Sequence, residues 1–236
     1  MSERPIPLGA TVLAALFVTA LITSQLTAAK VLAFGIPFSL PIVDSSLILP
    51  GAALAYAVTF FASDCFTELY GKRSARRLVN VAFAMNFVML ALVYSTIAAP
   101  AARSSIDPEM FATVLGASTN IVLGSLVGYL VSQNWDVYVF HAIRERTGKQ
   151  KLWLRNIAST ASSQAIDTVL FVGIAFYLLP QYAGIGPILP NSVVLGLAVG
   201  QYLLKLLIVL VDTPFVYLVT RVVREREPGH EDAIVD

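Results

Sequence analysis

The chain has 236 residues, of which 57% are hydrophobic and 13% charged, with a mean hydropathy of +0.75 and a net charge of +1. A soluble domain carries about 25% charged residues, so this composition excludes a water-exposed globular surface and indicates a membrane protein. The near-neutral charge does not indicate nucleic-acid binding, and the single cysteine, Cys65, excludes an internal disulfide and a cysteine-based metal cluster.

Six segments are apolar enough to cross a bilayer, which takes about 20 apolar residues in a helix because every backbone polar group must be satisfied internally. They cover residues 8–29, 47–70, 78–98, 117–143, 157–179 and 193–220. The sequence therefore predicts an all-α membrane protein with six transmembrane helices, in a single domain over residues 1–236. The first segment is too long for a signal peptide, and we expect it to be a true span.

The Lys and Arg residues are distributed unevenly between the loops. Thirteen of the sixteen lie before the first span, between the second and third, between the fourth and fifth, or after the sixth. Lys30 and Arg103 lie in the other loops, and Lys205 falls inside the sixth span. Because basic residues collect on the cytoplasmic side of membrane proteins, both termini are predicted to be cytoplasmic.

The loops on the opposite side contain many helix-breaking residues. Residues 31–46 contain one glycine and two prolines, and residues 181–191 contain two of each, so both segments are predicted to be tight loops. Between the third and fourth spans, residues 104–110 predict a short helix with Ser105 as its N-cap.

Four predicted helices carry a carboxylate inside the membrane, where a charge costs about 2.5–3.5 kcal/mol on insertion scales and by default marks a functional site. At about 1.5 Å per residue, four Asp side chains fall roughly 12–18 Å inward from the cytoplasmic face. These residues are Asp64, Asp136, Asp167 and Asp212, and Glu68 lies nearer that face. The sequence therefore predicts carboxylates at a common depth.

A Ser-Gln-x-x-Asp motif occurs twice, in residues 132–136 and 163–167. The i, i+3 spacing places Gln133 and Gln164 each on the same helix face as the Asp that follows it. On the last helix, Gln201, Lys205 and Asp212 also share one face. We expect Lys205 to pair with a carboxylate of another helix, with Asp167 as the first choice. The remaining acids are then protonated or bind a cation or a donor-rich ligand.

Simpler structural roles are open for several of these residues. Glu68 is equally compatible with an interfacial position beside Lys72, and Asp136 with one among the interfacial aromatics Trp135 and Tyr138. Polar side chains that only join helices are the alternative for Asn80, Asn86, Asn120 and Ser125. Small-residue patterns that indicate helix packing occur at Gly124-x-x-x-Gly128 and Gly196-x-x-x-Gly200.

Several functional motifs are absent from the sequence. There is no G-x-x-x-x-G-K-[ST] loop for ATP hydrolysis and no H-E-x-x-H, and no histidine lies deep in a span to activate a nucleophile. Neither a pore-lining repeat nor a re-entrant filter is evident, which disfavours a channel. We therefore expect no catalytic residue, no metal and no cofactor, and we predict that the protein is not an enzyme.

With these residues identified, the chain resembles the queuosine precursor transporters, of the vitamin uptake transporter group, from about residue 23 to 217. Four segments carry the resemblance: S-D-C-F-T-E-L-Y-G-K-R-S-A-R-R (63–77), S-Q-N-W-D-V (132–137), K-L-W-L-R-N-I-A-S-T-A-S-S-Q-A-I-D-T-V-L-F (151–171) and K-L-L-I-V-L-V-D-T-P (205–214).

The resemblance implies uptake of 7-deazaguanine bases, in cyano or aminomethyl form, through the cell inner membrane for making the queuosine of tRNA. It implies substrate binding by the polar residues at matching positions, which are Asp64, Glu68, Gln133, Asp136, Arg155, Asn156, Gln164, Asp167, Lys205 and Asp212. Gln201 joins them because it shares a face with Lys205. The first span matches loosely, and Gln25 and Lys30 are further candidates there.

The chemistry of such a base suits these residues. A guanine-like edge offers N–H donors that one carboxylate accepts in parallel, Gln can bind the ring carbonyl, and an aromatic side chain can stack on the base. The expected partners are a small-molecule 7-deazaguanine and the lipid bilayer, with no nucleic acid, and a homodimer is compatible with the sequence. The preferred base, the energy coupling and the oligomeric state stay open.

Two other functions are hypotheses at this stage. A substrate-capturing subunit of an ATP-driven vitamin importer needs a small-residue stripe on the first helix for docking, and Gly9, Ala10, Leu13 and Ala14 provide a weak one. A membrane enzyme acting on a lipid or a nucleobase is disfavoured by the missing catalytic motifs.

Overall fold

The computed structural model describes residues 7–40, 44–147 and 152–226. It is mostly helical, as predicted, and includes one two-stranded antiparallel sheet. In chain order the elements are helix α1 (Leu8–Thr27), strands β1 (Val31–Leu40) and β2 (Asp44–Pro50), helices α2 (Ala53–Ala98), α3 (Pro108–Gly116), α4 (Ser118–Thr147) and α5 (Leu152–Gly173), a π-helix (Ile174–Ala183) and helix α6 (Asn191–Arg226).

Five helices in the described part of the chain are long and apolar enough to cross a membrane. The first, fourth, fifth and sixth predicted spans correspond to α1, α4, α5 with its π-helix, and α6. The second and third both lie in α2, which is 46 residues long and is interrupted at Gly71 (φ 82°, ψ 158°). The six crossings and the cytoplasmic termini therefore stay predictions.

Helix α2 folds back on itself at Gly71. Ala62 and Ala82 belong to one buried cluster with Phe17 and Leu21 of α1. In a continuous helix two residues that are twenty positions apart would be separated by about 30 Å. The positive φ of Gly71, which glycine adopts without steric cost, makes this reversal possible. The arm before Gly71 (residues 53–70) and the arm after it (residues 72–98) are therefore antiparallel.

The all-α prediction is wrong for the segment between α1 and α2, which is a β-hairpin rather than a tight loop. Strand β1 pairs with β2 from Val31 opposite Pro50 to Gly35 opposite Ser46, with an irregularity before Leu40. Residues 47–50, predicted to begin the second span, belong to β2, and the helix begins at Ala53. An apolar run such as Leu47–Leu49 is compatible with either a strand or a helix, and pairing with β1 decides between them.

The second small-residue pattern packs against this hairpin. A Cβ at Gly196 of α6 would lie 2.8 Å from Cδ1 of Ile48, and one at Gly200 would overlap the Ile48 carbonyl oxygen. The two glycines therefore admit strand β2 against the surface of α6.

The short helix after α2 is present, but its predicted N-cap is wrong. Helix α3 begins at Pro108, and the Asp107 carboxylate accepts a hydrogen bond from the Met110 backbone N–H at 2.8 Å. Asp107 rather than Ser105 is the cap, because proline is favoured at the first helical position and the residue before it is extended.

Helix α5 widens into a π-helix that contains Pro180. In a π-helix the N–H of residue 180 would donate to the carbonyl of residue 175, and proline has no N–H. The Asn120 side chain of α4 donates to the Ala175 carbonyl instead. The prediction that Asn120 joins helices is confirmed.

The chain divides into two compact units. Unit 1 comprises Met1–Lys30, Gly51–Pro100 and Leu204–Asp236, and unit 2 comprises Val31–Pro50 and Ala101–Leu203. In unit 1, α1 packs against both arms of α2. In unit 2, α4 packs along α5 and its π-helix. The single-domain organisation stays a prediction.

The six-span topology can be tested by cysteine labelling. We expect a membrane-impermeant thiol reagent to label Ile188→Cys in intact cells and Lys72→Cys only after permeabilisation. Both native side chains are exposed, and Cys65 is buried and gives no background. Ile188 is a better position than Gly186, where φ is 89° and a Cβ would lie 2.9 Å from Asn120 Nδ2. Labelling of Lys72→Cys in intact cells would contradict the topology.

Candidate functional site

In unit 2, α4 and α5 approach closely because two glycines of α4 face α5 and its π-helix. A Cβ at Gly124 would lie 2.9 Å from the Cβ of Ala175, and one at Gly128 would lie 3.0 Å from Oδ1 of Asp167. The first small-residue pattern is therefore confirmed as a helix contact. It also fixes the position of Asp167, whose carboxylate lies directly against Gly128.

The two Ser-Gln-x-x-Asp motifs contact each other through Ser163 and Asp136. Ser132 and Ser163 are both buried, and the Ser163 hydroxyl lies 3.4 Å from Oδ1 of Asp136. Beside them, Trp135 Nε1 donates to the Ser162 hydroxyl at 3.1 Å. Asp136 is half-buried, and its carboxylate contacts Ser163 of α5. This contact is additional to the interfacial role that the sequence left open.

The predicted common depth does not hold for Asp136 and Asp167. Asp136 lies beside Ser163, whereas Asp167 lies beside Gly128, eight residues earlier on α4. At 1.5 Å per residue the two carboxylates are about 12 Å apart along α4. The cause is the antiparallel packing of α4 and α5, in which a later residue of α4 lies beside an earlier residue of α5.

Two glutamine side chains of unit 2 have buried oxygens without a hydrogen-bond partner among the described residues. They are Oε1 of Gln164 and Oε1 of Gln201. Their helices meet close by, since the Tyr202 hydroxyl lies 3.4 Å from the Ala161 carbonyl oxygen. Both oxygens are hydrogen-bond acceptors, so this part of unit 2 is suited to a ligand that brings N–H or O–H donors.

The other two amide residues predicted to bind the substrate are Gln133 and Asn156. The Gln133 side chain is exposed. Asn156 belongs to α5, but its side chain, like that of Arg155, lies outside the described residues. Their predicted roles in binding stay predictions.

In unit 1, Lys205 is a fully buried cation, 1% exposed. Its Nζ lies 5.8 Å from the centroid of the Tyr56 ring, within cation–π range. Tyr56 was not among the predicted residues, since a single aromatic residue in an apolar span gives no distinctive pattern. The predicted pairing of Lys205 with Asp167 stays a prediction, because Asp167 belongs to unit 2.

Asp64 and Asp212 lie close together in unit 1. Val216, one turn after Asp212, packs in the cluster that contains Cys65, and the two carboxylates interact electrostatically. Asp64 is exposed, whereas Asp212 is 8% exposed and its Oδ2 has no hydrogen-bond partner among the described residues. The common depth predicted for the Asp residues therefore holds for this pair.

Glu68 contacts α6 at the end of the first arm of α2. Its Oε1 and its backbone carbonyl accept hydrogen bonds from Arg224 Nη2 at 3.0 and 3.3 Å. Both side chains are about half exposed, so this ion pair contributes about 0–1 kcal/mol at most. Arg224 was not a predicted site residue, because a basic residue after the last span is expected from topology alone.

Comparison with known proteins identifies related chains. The sequence profile of a family described as "Putative vitamin uptake transporter" matches residues 50–219. A protein of Bacillus subtilis (strain 168) named "Probable queuosine precursor transporter" is 33% identical over 173 residues, which cover 73% of this chain and 72% of the relative. No solved structure matches the chain. The resemblance identified from the sequence is confirmed, and the chain is a multi-pass membrane protein similar to transporters.

Substitution of the buried Lys205 tests whether its charge is needed for transport. We expect Lys205→Met to insert and fold, because methionine lacks the roughly 2.5–3.5 kcal/mol cost of a lysine at mid-bilayer. Transport should fall to about a tenth of the wild-type rate or less, since a lost charged contact costs about 1.5–3 kcal/mol. Thermal unfolding of the purified protein and uptake in cells measure the two effects.

The matched control is Leu206→Met, at a neighbouring exposed position, which should change neither quantity. Wild-type uptake by Lys205→Met would mean that the buried ammonium group neither binds substrate nor balances charge.

Proposed function

Because the chain belongs to the vitamin uptake transporter family, we propose that it imports queuosine precursors, the 7-cyano- and 7-aminomethyl-7-deazaguanine bases, across the cell inner membrane into the cytoplasm. The relative from Bacillus subtilis carries that substrate class in its name. The polar groups of each unit support the proposal through their chemistry.

The observation that carries the proposal is the pair of buried acceptor oxygens on Gln164 and Gln201 in unit 2, with Gln164 one turn before Asp167 on α5. A buried polar group without a partner costs about 1–3 kcal/mol, so these side chains favour a state in which a ligand donates to them. A guanine-like base brings ring and exocyclic N–H donors along one edge. One carboxylate can accept two of them in parallel, and Asp167 is the residue we assign to that edge.

The acids of unit 1 suit the aminomethyl substrate. Its side chain carries an ammonium group, and Asp64 and Asp212 place two interacting carboxylates in one region. Asp212 has an oxygen without a partner among the described residues. We therefore expect the aminomethyl base to depend on these two acids more strongly than the cyano base does.

The structure disfavours the role of a substrate-capturing subunit. Ala10 and Leu13, from the stripe that would dock a partner, are buried in one cluster with Cys65, Phe66 and Leu69 of α2. Ala14 packs against the same cluster. The chain itself covers this face of α1, so the stripe is not available to a coupling module. Transport by the chain alone is the function we propose, with no enzymatic step.

The decisive experiment measures queuosine in tRNA. A host that cannot make 7-deazaguanines and lacks its own transporter is grown on nanomolar 7-cyano- or 7-aminomethyl-7-deazaguanine, with and without this protein. We expect queuosine-modified tRNA only with the protein, and without any added ATP-hydrolysing module. Equal modification in both strains, at a concentration where passive entry is negligible, would refute the proposal.

Asp167→Asn tests the assigned carboxylate. Asparagine keeps the shape but replaces one acceptor with an N–H₂ donor, which then faces the donors of the base. A mispaired buried polar group costs a site several kcal/mol, so we expect binding to weaken by about 10³- to 10⁴-fold while the protein still folds. Calorimetric or fluorescence titration of purified protein measures it. Asp136→Asn, at the other end of the α4–α5 contact, should be milder.

Gly128→Ala is a second test of the role assigned to the Asp167 carboxylate. The added Cβ would lie 3.0 Å from Asp167 Oδ1 and 3.2 Å from the Asp167 backbone oxygen, so it displaces Asp167 without changing its charge. We expect weaker binding than in the wild type. Gly173→Ala is the control, because a Cβ there meets nothing within 4 Å. Near-wild-type binding by purified Asp167→Asn would refute the assignment, whatever the effect on transport.

A further inference from the structure

Six basic side chains of unit 1 lie near the end of α6 and the reversal of α2. Four of them directly follow Gly71, and the other two belong to the last turns of α6. They are Lys72, Arg73, Arg76, Arg77, Arg221 and Arg224, and all six are exposed. We refer to these side chains as the basic cluster.

Two contacts bring the parts of the basic cluster to the same end of unit 1. Nη2 of Arg224 lies 3.0 Å from Oε1 of Glu68, which is three residues before Gly71. Val223 of α6 packs against the buried cluster that contains Ala75, in the first turn after Gly71. The basic side chains that flank Ala75 in the sequence are exposed and therefore lie on the surface beside this contact.

The basic cluster carries more positive charge than its acidic neighbours neutralise. Arg221 pairs with Glu225 at 3.1 Å. Arg224 pairs with Glu68 at 3.0 Å. These four side chains are between 46% and 80% exposed, so solvent screens both pairs. The four basic side chains after Gly71 have no ion-pair partner among the described residues, and the cluster therefore attracts anions.

A groove beside α6 gives an anion a place to bind. It has a volume of about 440 Å³ and is lined by Tyr217, Thr220, Arg221, Arg224 and Glu225. A guanidinium group has a planar set of N–H donors, which match the oxygens of a phosphate in pairs. Arg221 contacts Glu225 through Nε, and among the described residues this leaves its two terminal nitrogens for another acceptor.

The groove lies where the exposed surface of α6 changes from apolar to charged. Phe215, Tyr217 and Leu218, at its apolar edge, are 55%, 70% and 60% exposed. On a membrane helix such side chains face lipid, and tyrosine is favoured at the level of the headgroups. A phospholipid has the same order of groups, with its phosphate directly beyond its acyl chains. The groove therefore fits a phospholipid better than a soluble phosphate, which would make no use of the apolar surface.

Topology alone accounts for part of this pattern. Basic residues collect at the cytoplasmic ends of membrane spans, and lysine and arginine serve that purpose equally. The geometry of the guanidinium group matters for phosphate binding and not for topology. An exchange of arginine for lysine therefore distinguishes the two explanations.

We propose that unit 1 binds the headgroup of an acidic phospholipid in this groove, with Arg221 and Arg224 contacting the phosphate. The four basic side chains that follow Gly71 add attraction for a headgroup with a net negative charge. The acyl chains lie along the exposed apolar surface of α6 at Phe215 and Leu218. Lipid binding at this place goes beyond the proposed function and does not depend on it.

The test titrates purified protein in a neutral detergent with dioctanoyl phosphatidylglycerol, which is anionic, and with dioctanoyl phosphatidylcholine, which is zwitterionic. Native mass spectrometry measures the affinity for each lipid. We expect phosphatidylglycerol to bind at least about 10-fold more tightly, because several basic side chains attract its net charge. Glycerol phosphate, which lacks the acyl chains, should bind at least about 10-fold more weakly than phosphatidylglycerol.

Arg221→Lys separates phosphate recognition from charge and topology. Lysine keeps the charge but lacks the planar pair of donors, so we expect phosphatidylglycerol binding to weaken about 10-fold. Thermal unfolding without lipid should be unchanged, since Arg221 is exposed and its pair with Glu225 contributes little. Arg77→Gln, which removes a charge outside the groove, should weaken binding about fivefold.

The matched control is Arg103→Lys, at an exposed position of unit 2, which should bind phosphatidylglycerol as the wild type does. Equal binding of the two lipids by the wild type would overturn the inference, because net negative charge would then play no part. Glycerol phosphate that binds as tightly as phosphatidylglycerol would overturn the assignment to a lipid. Wild-type affinity in both Arg221→Lys and Arg77→Gln would overturn the assigned place. These measurements use no 7-deazaguanine, so the proposed function and the lipid site succeed or fail separately.

Discussion

Inside a bilayer, every hydrogen-bonding group that the chain buries must find its partner within the protein, because the hydrocarbon core offers none. Most of this fold follows from that requirement. The backbone is mostly helical. Serine and threonine hydroxyls along the helices donate hydrogen bonds to backbone carbonyls three or four residues earlier, as those of Thr67, Ser118 and Thr168 do. Where Pro180 removes an N–H, the Asn120 side chain replaces it. By the same requirement, each buried polar side chain that has no partner needs an explanation.

These exceptions are few among the described residues and are spread over both units. Asn120, Gln164 and Gln201 in unit 2, and Asn86 and Asp212 in unit 1, each bury an oxygen without a hydrogen-bond partner in that part of the chain. All five present acceptors, and Asn86 adds a donor. A membrane protein that keeps such groups buried loses stability by doing so, and a ligand rich in N–H donors recovers that loss on binding. A transporter of guanine-like bases provides that ligand.

Glycine decides where the helices and the hairpin can approach each other. Gly71 lets α2 reverse, Gly128 brings α4 against the Asp167 carboxylate, and Gly200 admits strand β2 onto α6. In each case the missing Cβ allows a backbone conformation or a contact that alanine would obstruct. The α4–α5 contact is the functional one of the three, since it sets the position of a carboxylate assigned to the substrate.

The sequence alone determined the membrane class, the helical segments within a few residues at most ends, and the polar residues worth examining, because hydropathy and the cost of an intramembrane charge are properties of composition and local order. It could not determine the hairpin, since the apolar run at Leu47–Leu49 is compatible with a strand or a helix until β1 pairs with it. It predicted one depth for Asp136 and Asp167, and only the antiparallel packing of α4 on α5 separated them. It also offered helix joining as the role of Asn86 and Asn120 alike. The tertiary structure distinguished them, because whether a buried amide has a partner depends on which helix faces it, and that is a property of packing rather than of sequence spacing.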